Sequence, residues 1–150
     1  MDKKYFDLVY KESLKAFNCD EIPIGAVIVK DDRVIASAFN RKESSNCCLD
    51  HAELIAIREA SNILNNWRLN DCDIYISLDP CPMCASAIKQ ARFRNVYAAL
   101  SNSDQNNSSI INSIFNHNDN TNSCVMFETN LDCDRFKILL NDFFEKQRNK

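Results

Sequence analysis

Two short stretches carry residue types that bind metals and move protons. Pro80-Cys81-Pro82-Met83-Cys84 sets two thiols three residues apart, where a strand-like run ends and helical composition begins. Cys-x-x-Cys at a helix N-terminus brings both sulfurs within reach of one ion, and the helix dipole favours their thiolates. A catalytic zinc takes three protein ligands and keeps its fourth tetrahedral position for water. His51, one of only two histidines, opens another helical run and fits the third ligand. Glu53 follows in His51-Ala52-Glu53. Residues two apart do not share a face of a regular helix, but in a first turn both can point past the helix end. Glu53 can then reach a metal-bound water without ligating the metal. Two thiolates and a neutral imidazole would hold Zn²⁺, the metal would lower the pKa of its water, and a carboxylate would take and return the proton. These parts suit hydrolysis at an electrophilic carbon with proton delivery to a leaving group.

Taken singly, each piece has a blander reading. A Cys-x-x-Cys is also a redox motif or half of a structural zinc site, and a histidine at a helix start is often only capped or packed. Cys48, three residues before His51, would complete a closed Cys₃His site that leaves Glu53 idle. The remaining cysteines, Cys19, Cys47, Cys72, Cys124 and Cys133, read as small buried or semi-exposed residues. His117 reads as a solvated loop residue.

The elements that must position these groups follow from hydrophobic period. Phe6, Val9, Tyr10, Leu14 and Phe17 recur near 3.6 residues and predict an amphipathic helix. Residues 24–29 and 34–39 read as strands joined by a polar turn, which makes a hairpin. A loop over 40–50 leads to a helix over 51–64. A strand over 73–78, a helix over 82–91 and a strand over 95–100 follow. Residues 101–123 are rich in Asn, Ser and Asp, interrupted by one short helical face of Ile110, Ile111, Ile114 and Phe115. A last strand over 124–127 and a closing helix marked by Leu131, Phe136, Leu139, Leu140, Phe143 and Phe144 complete the chain. A hairpin followed by βαβ units predicts an α/β fold, a three-layer α/β/α sandwich with a five-stranded mixed sheet. Functional groups in such folds collect at strand carboxyl ends and helix starts, where both motifs lie.

Composition sets the frame. The chain has 150 residues, of which 45% are hydrophobic and 26% charged, which fits one globular domain over 1–150 and excludes a disordered chain. A net charge of −3 excludes a polybasic nucleic-acid binder held mainly by charge, though not a local basic patch. No signal-peptide pattern and no stretch of transmembrane length is present, so the expectation is a cytoplasmic protein off the membrane, with reduced thiols. There is one glycine. Asn and Asp must therefore serve the turns and helix ends that need positive φ.

His-x-E with Pro-Cys-x-x-Cys on two consecutive helices resembles the cytidine/deoxycytidylate deaminase superfamily. The likeness extends to the bacterial tRNA adenosine deaminases. Glu21-Ile22-Pro23-Ile24-Gly25-Ala26-Val27 is similar to their E-[VI]-P-[VI]-G-A-V strand, Ala38-Phe39-Asn40-Arg41 to their G-x-N-R, and Trp67-Arg68-Leu69 and Leu140-Asn141-Asp142-Phe143-Phe144 also match. The resemblance implies a cytidine deaminase-like fold, one Zn²⁺ per subunit on His51, Cys81 and Cys84, and Glu53 as the catalytic proton shuttle. It implies substrate contacts from Asn40, Ile24, Ala52 and Pro80. The implied reaction is hydrolysis of adenosine to inosine at the wobble position of a tRNA anticodon, with zinc-bound hydroxide attacking purine C6, in a homodimer that takes a nucleotide turned out of its loop. A deaminase of a free base or nucleoside (guanine, cytosine or a cytidine nucleotide) is the alternative. Three departures stand out: the family's Glu before Pro-Cys is Asp79, its R-D after the fourth strand is Leu100-Ser101, and its G-x-N-R glycine is Ala38. The Asp lies near the substrate backbone in the family.

An RNA substrate calls for local cations. Lys89, Arg92 and Arg94 follow the Cys helix, and Lys137, Lys146, Arg148 and Lys150 lie on the last one. Phe143 and Phe144 read as core residues. The alternative leaves one of them near the surface to stack on a base, with Phe144, Lys146 and Arg148 as the RNA-contact candidates.

Overall fold

The structure, a computed structural model, describes residues 1–102, 104–118 and 124–150. Its elements are α1 (Lys4–Asn18), β1 (Gly25–Lys30), β2 (Arg33–Phe39), α2 (Ala52–Leu64), β3 (Cys72–Leu78), α3 (Pro82–Ala91), β4 (Asn95–Leu100), α4 (Gln105–Asn116), β5 (Met126–Glu128) and α5 (Cys133–Arg148). The strands form one sheet in the order β2-β1-β3-β4-β5. β1 pairs antiparallel with β2 and with β3, whereas β3–β4 and β4–β5 are parallel. The expected five-stranded mixed sheet is therefore present.

Strand alternation divides the core in two. Ala26, Ile28, Ile74, Ile76, Val96 and Ala98 turn to one face, where they meet Ala52, Ala56 and Ala60 of α2 and Ala85 and Ile88 of α3. Val27, Val29, Tyr75, Tyr97 and Ala99 turn to the other, against Phe6 and Val9 of α1 and Phe136 of α5. The small residues of α2 let it lie close on the sheet. The opposite layer is aromatic: Phe6 meets Tyr75 edge-on with centroids 5.3 Å apart, and Tyr10 meets Phe136 at 5.4 Å. Each fully buried Phe contributes about 1.5–3 kcal/mol of burial.

Turns work almost without glycine. Among the described residues, positive φ falls on Asp20, Asp31, Asp32, Asn46, Asn65, Arg92 and Asn130, so all but Arg92 are Asp or Asn. Asp31 and Asp32, both left-handed, make the two-residue hairpin turn whose twist matches the flanking strands. Asn65 and Arg92 close α2 and α3 in the left-handed conformation. Gly25 has no positive φ. A Cβ there would stand 2.6 Å from the Val9 carbonyl oxygen and 2.8 Å from Glu12 Cβ, so it is glycine because α1 crosses directly over it.

Two expectations need correcting. The last strand lies at Met126–Glu128 rather than 124–127, because Val125 is buried in the core ahead of the ladder and pairing with β4 begins at Met126. The short helical face expected within 101–123 is the twelve-residue helix α4. Asp104 caps it by accepting from the Asn106 amide at 2.9 Å, and Ile111 and Phe115 anchor it in the core. Lys89 donates to the Phe115 and His117 carbonyls at its other end, at 3.0 and 2.9 Å. Lys89 is thus 5% exposed and is no part of a basic surface. His117 is the C-cap of α4. Ser103 and residues 119–123, which the Asn-rich reading included, lie outside the described residues.

Candidate active site

His51 and Cys81 occupy equivalent places. Each is the N-cap of its helix in extended backbone, His51 before α2 and Cys81 before α3. Pro82 at the first position of α3 fixes the φ that the helix start requires. The loop before His51 is held by a buried anion: Glu21, 1% exposed, accepts from the Glu43 amide at 3.0 Å, the Ser44 amide at 2.6 Å and the Ser44 hydroxyl. Burial alone would raise the Glu21 pKa; these donors outweigh it and hold the carboxyl below its ordinary value. The sequence reading gave Glu21 no role beyond its place in a matching strand.

His51 Nδ1 lies 3.7 Å from Cys81 Sγ and 3.5 Å from Cys84 Sγ, and the three ligand atoms lie within 4.8 Å of one another. Around a tetrahedral zinc, bonds of about 2.3 Å to sulfur and about 2.05 Å to nitrogen put sulfur and nitrogen about 3.6 Å apart. The donors are therefore spaced as a zinc would hold them. Cys48 is exposed and is not in this group, so the closed Cys₃His arrangement is not formed. Cys19 and Cys124 are exposed too, against the expectation of buried or semi-exposed residues. The donor thiols differ in character. The hydrogen bond from Cys84 pulls the Cys81 pKa down to about 5, while giving that hydrogen bond, with burial and the nearby Glu53, pushes Cys84 up. A dication bound here would displace the proton that Cys84 gives to Cys81, because thiolates are the ligating form.

Glu53 lies in the first turn of α2 and is 4% exposed. Burial raises its carboxyl above the usual carboxylate range. Its Oε1 has no hydrogen-bond partner among the described residues. A buried carboxylate oxygen without a partner costs about 1–3 kcal/mol or more, so the site is built for a group that the protein does not itself supply. Beside it opens a cavity of about 210 Å³ whose walls include Ile24, Asn40, Ala52, Glu53, His51 and Cys81. Asn40 Oδ1 is likewise buried without a partner. Pro80, expected at the substrate, is buried but does not line the cavity; the carboxyl end of β3 reaches it through Leu78 and Asp79 instead. Asn102 and Asn107 also line it, and nothing in their sequence context singled them out.

A second cavity of about 630 Å³ shares Ile22, Asn40 and Lys42 with the first and ends on Phe144 and Gln147. Phe143 is 5% exposed and Phe144 43%, so only Phe143 is core, contrary to the expectation for the pair. Lys146 and Arg148 are exposed, with the Lys146 ammonium 5.2 Å from the Phe17 ring. Arg94 is bound to Asp73 through two nitrogens, each at 3.1 Å, and Arg92 lies 5.1 Å from the Trp67 ring. No helix among the described residues is long and apolar enough to cross a membrane.

Comparison with known proteins agrees with this geometry. The tRNA-specific adenosine deaminase of Rickettsia typhi is 36% identical over 146 residues, covering 93% of this chain and 95% of that protein. A structure solved in a study of A-to-I editing by tRNA:A34 deaminases at the wobble position superposes with a TM-score of 0.83 at 32% identity, over 93% of this chain and all of that one. A guanine deaminase from Bacillus subtilis superposes at 0.65 with 31% identity, over 100% and 96%. The family model for MafB19-like deaminases matches residues 1–148, and the chain belongs to that deaminase family.

Proposed function

We propose that this protein, a single domain, hydrolyses the wobble adenosine of a tRNA anticodon to inosine, with one zinc per subunit on His51, Cys81 and Cys84. The observation that carries the reading is the unpartnered Glu53 Oε1 beside three donors at zinc spacing. Bound zinc supplies a Lewis acid that makes water nucleophilic near neutral pH. Glu53 would take one proton from that water and pass it to the ring nitrogen next to the reacting carbon, then take the remaining proton from the hydroxyl added to that carbon and give it to the departing amine, so that adenosine and water become inosine and ammonia. Its burial suits this, since a carboxyl with a raised pKa holds a proton more readily. Ile24, Ala52 and Asn40 hold the base against the metal donors.

The size of the site supports a flipped nucleotide. The inner cavity, at about 210 Å³, lies below the ~300–1,000 Å³ of drug-sized pockets and suits one base. The larger space beyond, bounded by Phe144, has room for neighbouring nucleotides, with Phe144 as a stacking surface and Lys146 and Arg148 as cations for the backbone. A cytoplasmic homodimer accompanies this reading.

The likeness to a guanine deaminase at 31% identity supports a second reading, hydrolysis of a free base. One assay separates them: zinc-loaded protein is offered an anticodon stem-loop with A at the wobble position, free adenosine, guanine and cytidine. Inosine in the stem-loop, without turnover of the free compounds, is expected. Xanthine from guanine with an untouched stem-loop replaces the tRNA reading by the second one.

A further inference from the structure

Asn107 sits in the first turn of α4 and lines the same inner cavity as Glu53 and Asn40. Its amide nitrogen is buried and has no hydrogen-bond partner among the described residues. The chain could have avoided this cost, since the inward positions Ile111 and Phe115, farther along the same helix, are apolar. A buried donor left unpaired is destabilising, and its position at a cavity wall marks it as complementary to something that enters. Among the described residues the cavity thus carries three unpaired polar atoms. Glu53 Oε1 belongs to the chemistry. Asn40 Oδ1 is an acceptor, so it calls for a donor on the ligand. Asn107 Nδ2 is a donor, so it calls for an acceptor.

We propose that Asn107 is a specificity-determining residue: its amide nitrogen donates a hydrogen bond to an acceptor of the target nucleotide away from the reacting carbon. The inference rests on the adenosine reading above. In that reaction the ring nitrogen beside the reacting carbon is engaged by Glu53. The base and sugar acceptors that can each be removed by a single substitution are the purine N3, the purine N7 and the ribose 2′-oxygen, and one of these is assigned to Asn107. The bond forms only when a nucleotide is bound, so the group costs stability in the free protein and returns it as selectivity. A purely structural asparagine would have its partner inside the protein.

The test uses Asn107→Leu, which keeps the side-chain size and removes the donor. Zinc-loaded wild type and variant are compared on four stem-loops whose wobble nucleotide is adenosine, 3-deazaadenosine, 7-deazaadenosine or 2′-deoxyadenosine. For wild type, one of the three analogues should lose on the order of 10-fold in kcat/KM, the value of one buried hydrogen bond whose donor is then stranded. In Asn107→Leu the parent stem-loop should lose about as much, and the penalty for that one analogue should vanish. The variant's zinc content should be unchanged and its melting temperature equal or higher, because an unpaired buried donor has gone. If all three analogue penalties are the same in variant and wild type, the assignment fails, and a lower melting temperature with unchanged kinetics would make Asn107 structural. Wild type that leaves the parent stem-loop unconverted would instead overturn the adenosine reading, which separates the two failures.

Discussion

Gly25→Ala tests how closely α1 is held to the sheet behind the site. Two effects oppose each other. Gly25 does not need positive φ, so alanine is allowed by the backbone, and restricting the unfolded chain would stabilise by about 0.4–1 kcal/mol. Against this, the added Cβ would lie 2.6 Å from the Val9 carbonyl oxygen and 3.0 Å from the Ser13 amide nitrogen. Both are backbone atoms of α1, so no side chain can swing away and the helix itself must lift. Lifting also strains a buried chain of hydrogen bonds. The Gly25 amide donates to Ser77 Oγ at 2.8 Å, the Ser77 hydroxyl donates to Ser13 Oγ at 2.6 Å, and the Ser13 hydroxyl donates to the Val9 carbonyl at 2.9 Å. Overpacking of this kind costs about 1–3 kcal/mol, which exceeds the entropic gain. The net loss of about 1–2 kcal/mol corresponds to a fall of about 2–8 °C in a domain of this size. Differential scanning calorimetry gives the number, and hydrogen exchange should show the amides of α1 opening faster while those of α3 hold. An unchanged or raised melting temperature would refute the reasoning, because it would mean that α1 rides over the sheet with slack.

Three further outcomes are expected. Glu53→Gln keeps the fold and a full equivalent of zinc but loses about 10²–10⁴ in kcat, the usual worth of a positioned acid–base group; near-normal turnover would remove Glu53 from the chemistry. Cys84→Ser lowers zinc content, read by elemental analysis of dialysed protein, and a chelator lowers the melting temperature of wild type but not of that variant, whereas Cys48→Ser should match wild type in both. Glu21 has a folded pKa below its unfolded one, so its stabilisation is complete above the unfolded value of about 4.3 and is lost as pH falls through the folded value. Urea unfolding should therefore show Glu21→Gln less stable than wild type by about 1.5–3 kcal/mol at pH 7, with the gap closing below pH ~4; parallel curves across that range would remove the charge from the account.

What the sequence disclosed depended on where the information was stored. Strands β1 to β4 and helix α3 fall within about a residue of their expected bounds, because each is an uninterrupted apolar or amphipathic run ended by a polar turn. His51, Glu53, Cys81 and Cys84 were legible because few residue types ligate zinc, and both motifs stand at helix starts. α4 was only half legible: its Asn and Ser residues are weak helix formers, and the helix is held by Asp104, by Ile111 and Phe115 in the core, and by Lys89 from a neighbouring helix. Lys89 looked like an ordinary solvated lysine, since nothing local reveals that two carbonyls of another helix converge on it. Asn107 was one asparagine among many, and its unpaired nitrogen becomes visible only once the cavity has walls.

Two of the departures from the resembled pattern, Asp79 and Ser101, prove to be neighbours. Asp79 accepts from the Ser101 hydroxyl and the Asn102 amide through one oxygen, each at 3.2 Å, and from the Thr129 hydroxyl at 2.5 Å through the other. An aspartate at position 101 would set a second carboxylate against this one, and two such charges at hydrogen-bond distance cannot both stay ionised without cost. Serine at 101 turns a repulsive pair into a donor–acceptor pair. The short arm of Asp79 then ties the ends of β3 and β4 to the residues after β5. The segment fixed in this way begins at Ser101 and leads into α4, so it sets where Asn102 and Asn107 meet the cavity. The same segment carries the unpaired amide of Asn107, in the first turn of α4. Asp79 therefore anchors the wall of the cavity on which the contact proposed for Asn107 depends.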